Sequence, residues 1–153
     1  MLDKTSDIRN IVISDDRKFF SAEHEEIASG ATSDVYFLRT RDVLRNLGLL
    51  DTPVVADIFC RRSGVYCGGE EVKRLLADKN VEMYCLDEGD RFEPGSTLMQ
   101  ISGRYSDFGL YETVLLGMMA SSSAWATAAA ECKEAGDGSQ VICFGARHIH
   151  PAV

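Results

Sequence analysis

Basic runs, repeats and proline are scarce in this chain, and each scarcity excludes a class of protein. Only three prolines and no low-complexity tract interrupt a composition that is 45% hydrophobic and 26% charged, as expected for a folded domain. No lysine or arginine cluster offsets the net charge of -8. The sequence therefore lacks the electrostatic pattern of a protein that binds nucleic acid or an anionic membrane, and it favours a small soluble partner or substrate.

The cysteines do not form a disulfide or zinc pattern. They are odd in number and contain no CxxC pair: Cys60, Cys67, Cys85, Cys132 and Cys143. We interpret them as reduced thiols in the core of a cytoplasmic protein. The N-terminal stretch MLDKTSDIRN agrees with that location, since it lacks the apolar segment of a secretory signal.

One long stretch lacks charge entirely. Residues 113–130 carry no charged side chain, and their length would allow a membrane span. The stretch is rich in alanine, serine and threonine, however, and no basic cluster flanks it, which makes its transfer to lipid weakly favourable. We therefore predict a helix of small residues, buried between two layers or at a subunit interface.

Several catalytic and metal-binding motifs are missing. The sequence has no GxxxxGK, GxSxG or GxGxxG, which removes support for phosphate-loop, hydrolase and dinucleotide-binding classes. The acidic turn DEGD at 87–90 lacks the ligand spacing of a calcium loop, and we interpret it as a solvated turn. His148 and His150 would share one face of a strand, but no third zinc ligand is evident. We therefore predict no metal site in this chain.

Secondary-structure signals indicate a mixture of helices and strands. A helix is predicted to start at Thr32 or Ser33 as N-cap, with Asp34 in its first turn, and to end at Gly48. One face of this helix would carry Tyr36, Thr40, Val43, Leu44 and Leu47.

Strand-like runs follow, and the small-residue helix comes after them. Strands are predicted over 54–60, 64–67, 81–87 and 97–103, with a short helix over 70–76. The uncharged helix is predicted to start near Phe108 and to end by Gly136. The last element is a short strand over 141–144, apolar enough to be buried on both faces. Too few residues follow it to build a second crossover, so we expect the chain to be cut at this point.

The stretch FGARH at 144–148 places an aromatic ring, a glycine, a permanent cation and an imidazole at the end of that predicted strand. Catalytic groups gather at such strand ends in α/β barrels. Arg147 could hold a carboxylate or phosphate through two parallel hydrogen bonds, and Phe144 could stack on a flat ring. A structural arginine paired with an acid explains the residues equally well.

Three stretches resemble the nicotinate phosphoribosyltransferases, relatives of the nicotinamide and quinolinate phosphoribosyltransferases. They are SGATSDVYFLRT at 29–40, GLYETVLLGMMASSSAWATAAAECK at 109–133 and VICFGARHIHPAV at 141–153. The resemblance implies an α+β fold, in which an N-terminal α/β sandwich-like domain with a four-stranded or similar sheet leads into the first strand of an incomplete α/β barrel. The corresponding segments would be a polar N-terminal part (1–28), the sandwich-like domain (29–107), a connecting helix (108–136) and the barrel strand (137–153).

The resemblance also implies a substrate site. A pyridine ring would stack between Tyr36 of one subunit and Phe144 of the other, and Asp34 would support the turn that carries Tyr36. Arg147 would face an anionic group of the substrate. His148 replaces a second arginine found in some relatives, and a polar contact with substrate fits it.

The implied reaction joins nicotinate to phosphoribosyl pyrophosphate and gives nicotinate mononucleotide for NAD biosynthesis. Mg²⁺ and ATP are implied as cofactors, with sites outside this chain. The chain would act within a homodimer or with a complementing C-terminal barrel chain, and alone it is expected to be inactive. The alternative is a non-catalytic interaction module, derived from the same family, that modulates an intact relative.

Overall fold

The chain combines helices with small antiparallel sheets, which confirms the predicted α+β class. A computed structural model describes residues 1–13, 16–18 and 21–150. The helices of this part are α1 (His24–Ser29), α2 (Val35–Asn46), α3 (Gly69–Leu75), α4 (Tyr105–Phe108) and α5 (Glu112–Ala135). The strands are β1 (Pro53–Phe59), β2 (Gly64–Val65), β3 (Val81–Cys85), β4 (Arg91–Phe92) and β5 (Thr97–Arg104). Short 3-10 helices cover Thr5–Asn10, Gly109–Tyr111 and Gly145–Arg147.

An antiparallel sheet of three strands forms the centre of the fold, in the order β1-β5-β3. Ala56 of β1 and Met83 of β3 both pair with Ile101 of β5, so these three side chains point to the same, inner face. A separate two-stranded ribbon joins β2 to β4. The resemblance implied four strands or a similar sheet, and the described residues supply three strands plus this ribbon.

The main core lies between the inner face of the sheet, α3 and α5. Its members include Tyr66, Val72, Met99, Ile101 and Leu115, each 2% exposed or less. The outer face of the sheet, in contrast, leaves Val55, Phe59 and Tyr84 exposed. The period-2 alternation of the strands thus separates a buried face from an open one.

Hydroxyl groups of α5 complete the hydrogen bonding of the chain near β2. Ser123 accepts a bond from the Cys67 amide and donates one to the Cys67 carbonyl, both 3.0 Å long. Thr127 accepts a bond of 2.9 Å from the Val65 amide. These contacts explain why the helix carries small polar residues, since larger side chains would hold α5 away from the backbone of 65–67.

The buried surface of α5 is narrower than predicted. Only Leu115, Met119 and Ser123 are buried within the helix, at a spacing of four residues, whereas Leu116 and Trp125 are exposed. Burial between two layers is therefore wrong for the described part of the chain, and burial at a subunit interface stays a prediction. No helix in the described residues is long and apolar enough to cross a membrane.

Helix α2 differs from its prediction in both start and buried face. Its N-cap is Asp34, not Thr32 or Ser33. The residues it buries are Phe37, Leu38 and Arg41, while Tyr36, Val43 and Leu47 of the predicted face are more than half exposed. Two stripes at helical spacing exist in this sequence, and periodicity alone does not say which one meets the core.

The buried stripe of α2 packs under the N-terminal residues. Phe37 and Leu38 form a second core cluster with Leu110, against which Leu2 and Ile8 pack. The Arg41 guanidinium, 4% exposed, donates 2.7 Å to the Ser106 carbonyl and 2.8 Å to the Asp3 carboxylate. Residues Leu2, Asp3 and Ile8 of the N-terminal segment are therefore packed against the domain.

Two further expectations need correction. Residues 141–144 form no strand, and Val141, Ile142 and Phe144 are exposed, because no described strand lies beside them to accept their backbone hydrogen bonds. The cysteines are free, and Cys60 and Cys85 pack against the main core as partly buried side chains, but Cys132 and Cys143 are exposed. The end of the third resemblance block, 151–153, lies outside the described residues.

The centre of the sheet provides a test of this core. Met99 lies in the middle strand and is 0% exposed. We expect Met99→Ala to lower the free energy of unfolding by about 2–5 kcal/mol, because truncation of a buried side chain loses transfer energy and leaves a cavity. Urea denaturation followed by circular dichroism measures the change. Tyr84→Ala, on the open face, serves as the control, and an equal loss in both variants would contradict the assigned core.

Candidate substrate site

The first part of the predicted site is the turn that leads into α2. Gly30 ends α1 with a φ of 82°, and a Cβ added there would lie 2.5 Å from Cδ2 of Leu110. Glycine is therefore required at this position for both conformation and close approach. The Ser33 hydroxyl donates a hydrogen bond to the Leu110 carbonyl. The turn is thus held against the chain just before α5.

Asp34, the residue after Ser33, forms hydrogen bonds with Thr113 of α5. Its backbone amide donates to the Thr113 hydroxyl at 3.1 Å, and that hydroxyl donates to the Asp34 carboxylate at 3.0 Å. Asp34 is the N-cap of α2, but its side chain makes no capping hydrogen bond to that helix. Its support of the turn, which the resemblance implied, therefore has a specific partner in Thr113.

Tyr36 projects from the first turn of α2 into solvent. Its side chain is 54% exposed, and its ring centroid lies 4.3 Å from that of the buried Phe37. Partial desolvation and the nearby carboxylates of Asp34 and Glu112 raise the pKa of the Tyr36 hydroxyl. The phenol consequently stays neutral at physiological pH and lies in a negative environment.

Tyr105 extends this aromatic and acidic surface. Desolvation, then the charge of Glu112, raise the pKa of its hydroxyl, while Arg41 and Thr40 act in the opposite direction. Tyr105 and Glu112 also line a cleft of about 470 Å³ between β1 and α5. The starts of α2, α4 and α5 therefore come together around Tyr36.

The second part of the predicted site lies near the end of α5. The Arg147 guanidinium carbon lies 5.2 Å from the Phe144 ring centroid, which is within the range of a cation–π contact. The Phe144 side chain is 62% exposed, and His148 is exposed as well. No acidic partner of Arg147 is present in the described part of the chain, so the structure offers no pairing with an acid.

A groove lies where this second part meets α5. It has a volume of about 960 Å³, and Trp125, Cys132, Phe144 and His148 are among the residues that line it. The Trp125 ring lies 3.4 Å from the position that a Cβ on Gly145 would occupy. The segment that carries Phe144 thus contacts the middle and end of α5.

The two parts do not meet within one chain. Tyr36 follows Asp34, which is bonded to Thr113 at the start of α5, whereas Phe144 lines a groove with Trp125 and Cys132. At a rise of 1.5 Å per residue, these points are about 18–28 Å apart along the helix. A pyridine ring is far smaller than this separation, so Tyr36 and Phe144 of the same chain cannot stack on its two faces.

Sequence reasoning missed the residues that hold Tyr36. Thr113 and Glu112 lie 79 and 78 positions away from Asp34, and no spacing rule connects residues so distant in sequence. Only Tyr105 carried a signal in the sequence, because it is an aromatic residue directly after a strand, where site residues often lie. The structure adds Thr113, Glu112 and Tyr105 to the candidate site.

The acidic turn has a structural role. Glu88 accepts hydrogen bonds of 3.0 and 3.1 Å from the Gly68 amide and one of 3.1 Å from the Glu70 amide, at the start of α3. Across the described ranges, no group of three or more histidine, cysteine, aspartate or glutamate side chains could hold a metal ion. The DEGD turn therefore stabilises the chain locally.

Comparison with known proteins gives the family. The model of the quinolinate phosphoribosyl transferase N-terminal domain matches residues 34–123, more than half of the chain. The chain belongs to this phosphoribosyltransferase family. The matched region begins at Asp34 and ends at Ser123, so it contains Tyr36 and the contact of Asp34 with α5 but not the segment that carries Phe144.

Solved structures agree with this membership. Nicotinate-nucleotide pyrophosphorylase from Pyrococcus furiosus is 43% identical with a TM-score of 0.84, over 89% of this chain and 36% of that one. Two further structures share the fold at 21% identity. Human nicotinic acid phosphoribosyltransferase has a TM-score of 0.66 over 72% of this chain and 30% of that one. NadC from Streptococcus pyogenes has a TM-score of 0.55 over 63% of this chain and 37% of that one. The chain thus spans about a third of the length of these phosphoribosyltransferase relatives.

The negative surroundings of Tyr36 can be tested directly. We expect Glu112→Gln to lower the pKa of the Tyr36 hydroxyl, because loss of a nearby carboxylate makes the phenolate less unfavourable. The pKa of Tyr105 should fall in the same variant. Titration of the tyrosine ring carbons by NMR resolves each residue. Tyr84 is the internal control, and unchanged pKa values for Tyr36 and Tyr105 would contradict the assigned geometry.

Proposed function

We propose that this chain is the N-terminal part of a phosphoribosyltransferase of NAD biosynthesis that uses nicotinate and phosphoribosyl pyrophosphate. Membership of the family supports the reaction class, and the 43% identity to a nicotinate-nucleotide pyrophosphorylase supports the product. In this reaction the pyridine nitrogen attacks C1 of the ribose, a new N–C bond forms, and pyrophosphate leaves with the electrons of the broken C–O bond. We further propose that the enzyme acts in the cytoplasm.

The observation that carries the proposal is the separation of two exposed, supported aromatic rings. Tyr36 rests on buried Phe37 at one end of α5, and Phe144 lies under Arg147 at the other end. Each chain thus carries two half-sites, one with Tyr36 and one with Phe144. A second copy of the chain can bring the missing ring to each half-site. We propose that nicotinate stacks between Tyr36 of one subunit and Phe144 of the partner subunit, in a homodimer or with a complementing barrel chain.

Charge around the two half-sites favours a ring with one carboxylate. Arg147, without an acidic partner in the described residues, can bind a carboxylate through two parallel hydrogen bonds, and His148 can add a polar contact. Asp34 and Glu112 make the Tyr36 side negative, which disfavours a second carboxylate there. We therefore propose nicotinate as the substrate in preference to quinolinate, which carries two carboxylates.

The contribution of this chain is positioning. Two aromatic faces hold the pyridine ring in the plane from which its nitrogen reaches the ribose carbon. Such orientation lowers the activation barrier of the complete enzyme and requires no strong base. The resemblance implies Mg²⁺ and ATP, and the described residues contain no group of three or more side chains that could hold a metal ion. We propose that the rest of the enzyme binds them.

A mixing experiment tests the shared site. In the complete enzyme, Tyr36→Ala and Phe144→Ala should each strongly reduce formation of nicotinate mononucleotide, because each removes one face of the stack. When the two variants are unfolded and refolded together, activity should return to about a quarter of wild type, since about half of the dimers are mixed and each mixed dimer has one intact site. Product formation is measured by chromatography, with quinolinate as the competing substrate.

The control for Tyr36→Ala is Tyr84→Ala, which removes an equally exposed tyrosine from the open face of the sheet. Mixed variants that stay inactive would contradict a site shared between subunits. A wild-type enzyme that forms no nucleotide from nicotinate would contradict the proposed function. Binding of the chain to an intact relative, without any activity in the complete assembly, would instead indicate the non-catalytic module.

A further inference from the structure

Thr113 joins the two elements that define the position of Tyr36. Its hydroxyl accepts a bond from the Asp34 amide and donates one to the Asp34 carboxylate, so a single side chain fixes both the backbone and the side chain of Asp34. Asp34 and Thr113 are 79 residues apart in sequence. The contact therefore connects the start of α2 with the first turn of α5.

The contact replaces the usual capping bond of α2. An N-cap aspartate normally accepts a hydrogen bond from an amide in the first turn of its own helix. Asp34 makes no such side-chain bond, and its carboxylate is directed to Thr113 instead. The side chain thus contributes more to the orientation of α2 against α5 than to the stability of α2 itself.

Neighbours of the Tyr36 side chain include Phe37 and Asp34. More than half of the side chain is exposed, its ring packs on Phe37, and its hydroxyl interacts with the Asp34 carboxylate. The direction of the ring consequently depends on the position of Asp34 and on the backbone of residues 34–36. Displacement of a stacking group by a fraction of an ångström is enough to weaken productive binding.

We infer that Thr113 is a positioning residue, which acts through Asp34 to hold Tyr36 in the orientation that stacks on the pyridine ring. The inference rests on the proposed function for the identity of the ring. It assigns to Thr113 no contact with substrate. It predicts an effect on substrate affinity that is larger than the effect on turnover or on stability.

The test compares three variants of the complete enzyme. Thr113→Val keeps the shape of the side chain and removes the hydroxyl, Thr113→Ser keeps the hydroxyl, and Thr97→Val makes the same change at an exposed threonine of β5. We expect Thr113→Val to raise KM for nicotinate about tenfold with a much smaller change in kcat, because it breaks a hydrogen bond to a charged group. Thr113→Ser and Thr97→Val should keep the KM of wild type.

Hydrogen exchange provides a readout that does not depend on activity. The Asp34 amide should exchange faster in Thr113→Val than in wild type or Thr97→Val, since its acceptor is lost. A wild-type KM in Thr113→Val, or a fall in kcat and melting temperature without a change in KM, would overturn the positioning role. A wild-type enzyme without nicotinate turnover would overturn the proposed function, and the inference with it. A wild-type enzyme that turns over nicotinate, with an unchanged KM in Thr113→Val, would overturn the inference alone.

Discussion

Hydrogen bonds from small hydroxyl side chains determine where α5 lies, and the rest of the structure follows from that position. Ser123 and Thr127 approach the backbone of residues 65–67 closely because neither they nor their neighbours are large. Leu115 and Met119 continue the same stripe into the core under the sheet. The helix therefore combines polar contacts with apolar burial along one narrow face, and this face needs both small hydroxyl residues and apolar residues.

The fixed position of α5 sets the geometry of the candidate site. The turn before α2 lies against the start of α5 through Gly30, Ser33 and Asp34. The segment with Phe144 and Arg147 lies against the far part of the same helix. Because a helix is rigid along its axis, α5 keeps Tyr36 and Phe144 of one chain far apart, and the proposed stacking of one ring between them requires a second molecule.

The positions of the strands were predicted better from the sequence than the buried face of helix α2. Alternating apolar residues in β1, β3 and β5 located the sheet, since a strand has only two faces and one of them must be buried. In α2, two apolar stripes competed, and burial by Leu2 and Ile8 selected the one with Phe37 and Leu38. Residues 141–144 are apolar enough for a strand, but a strand also needs neighbours, which a local pattern does not supply. For the same reason the motif predicted Asp34 and Tyr36 as site residues, whereas the hydrogen bonds between Asp34 and Thr113 were not predicted.

Trp125, whose ring lies beside Gly145, is a natural fluorescent label of the molecule. Trp125 is the single tryptophan of the chain, and it lies on the outer side of α5, away from the main core. Its fluorescence therefore reports whether residues 139–148 are docked on the helix, while circular dichroism reports the helices and the sheet. Undocking of this segment and unfolding of the domain are thus optically distinct events in the unmodified protein.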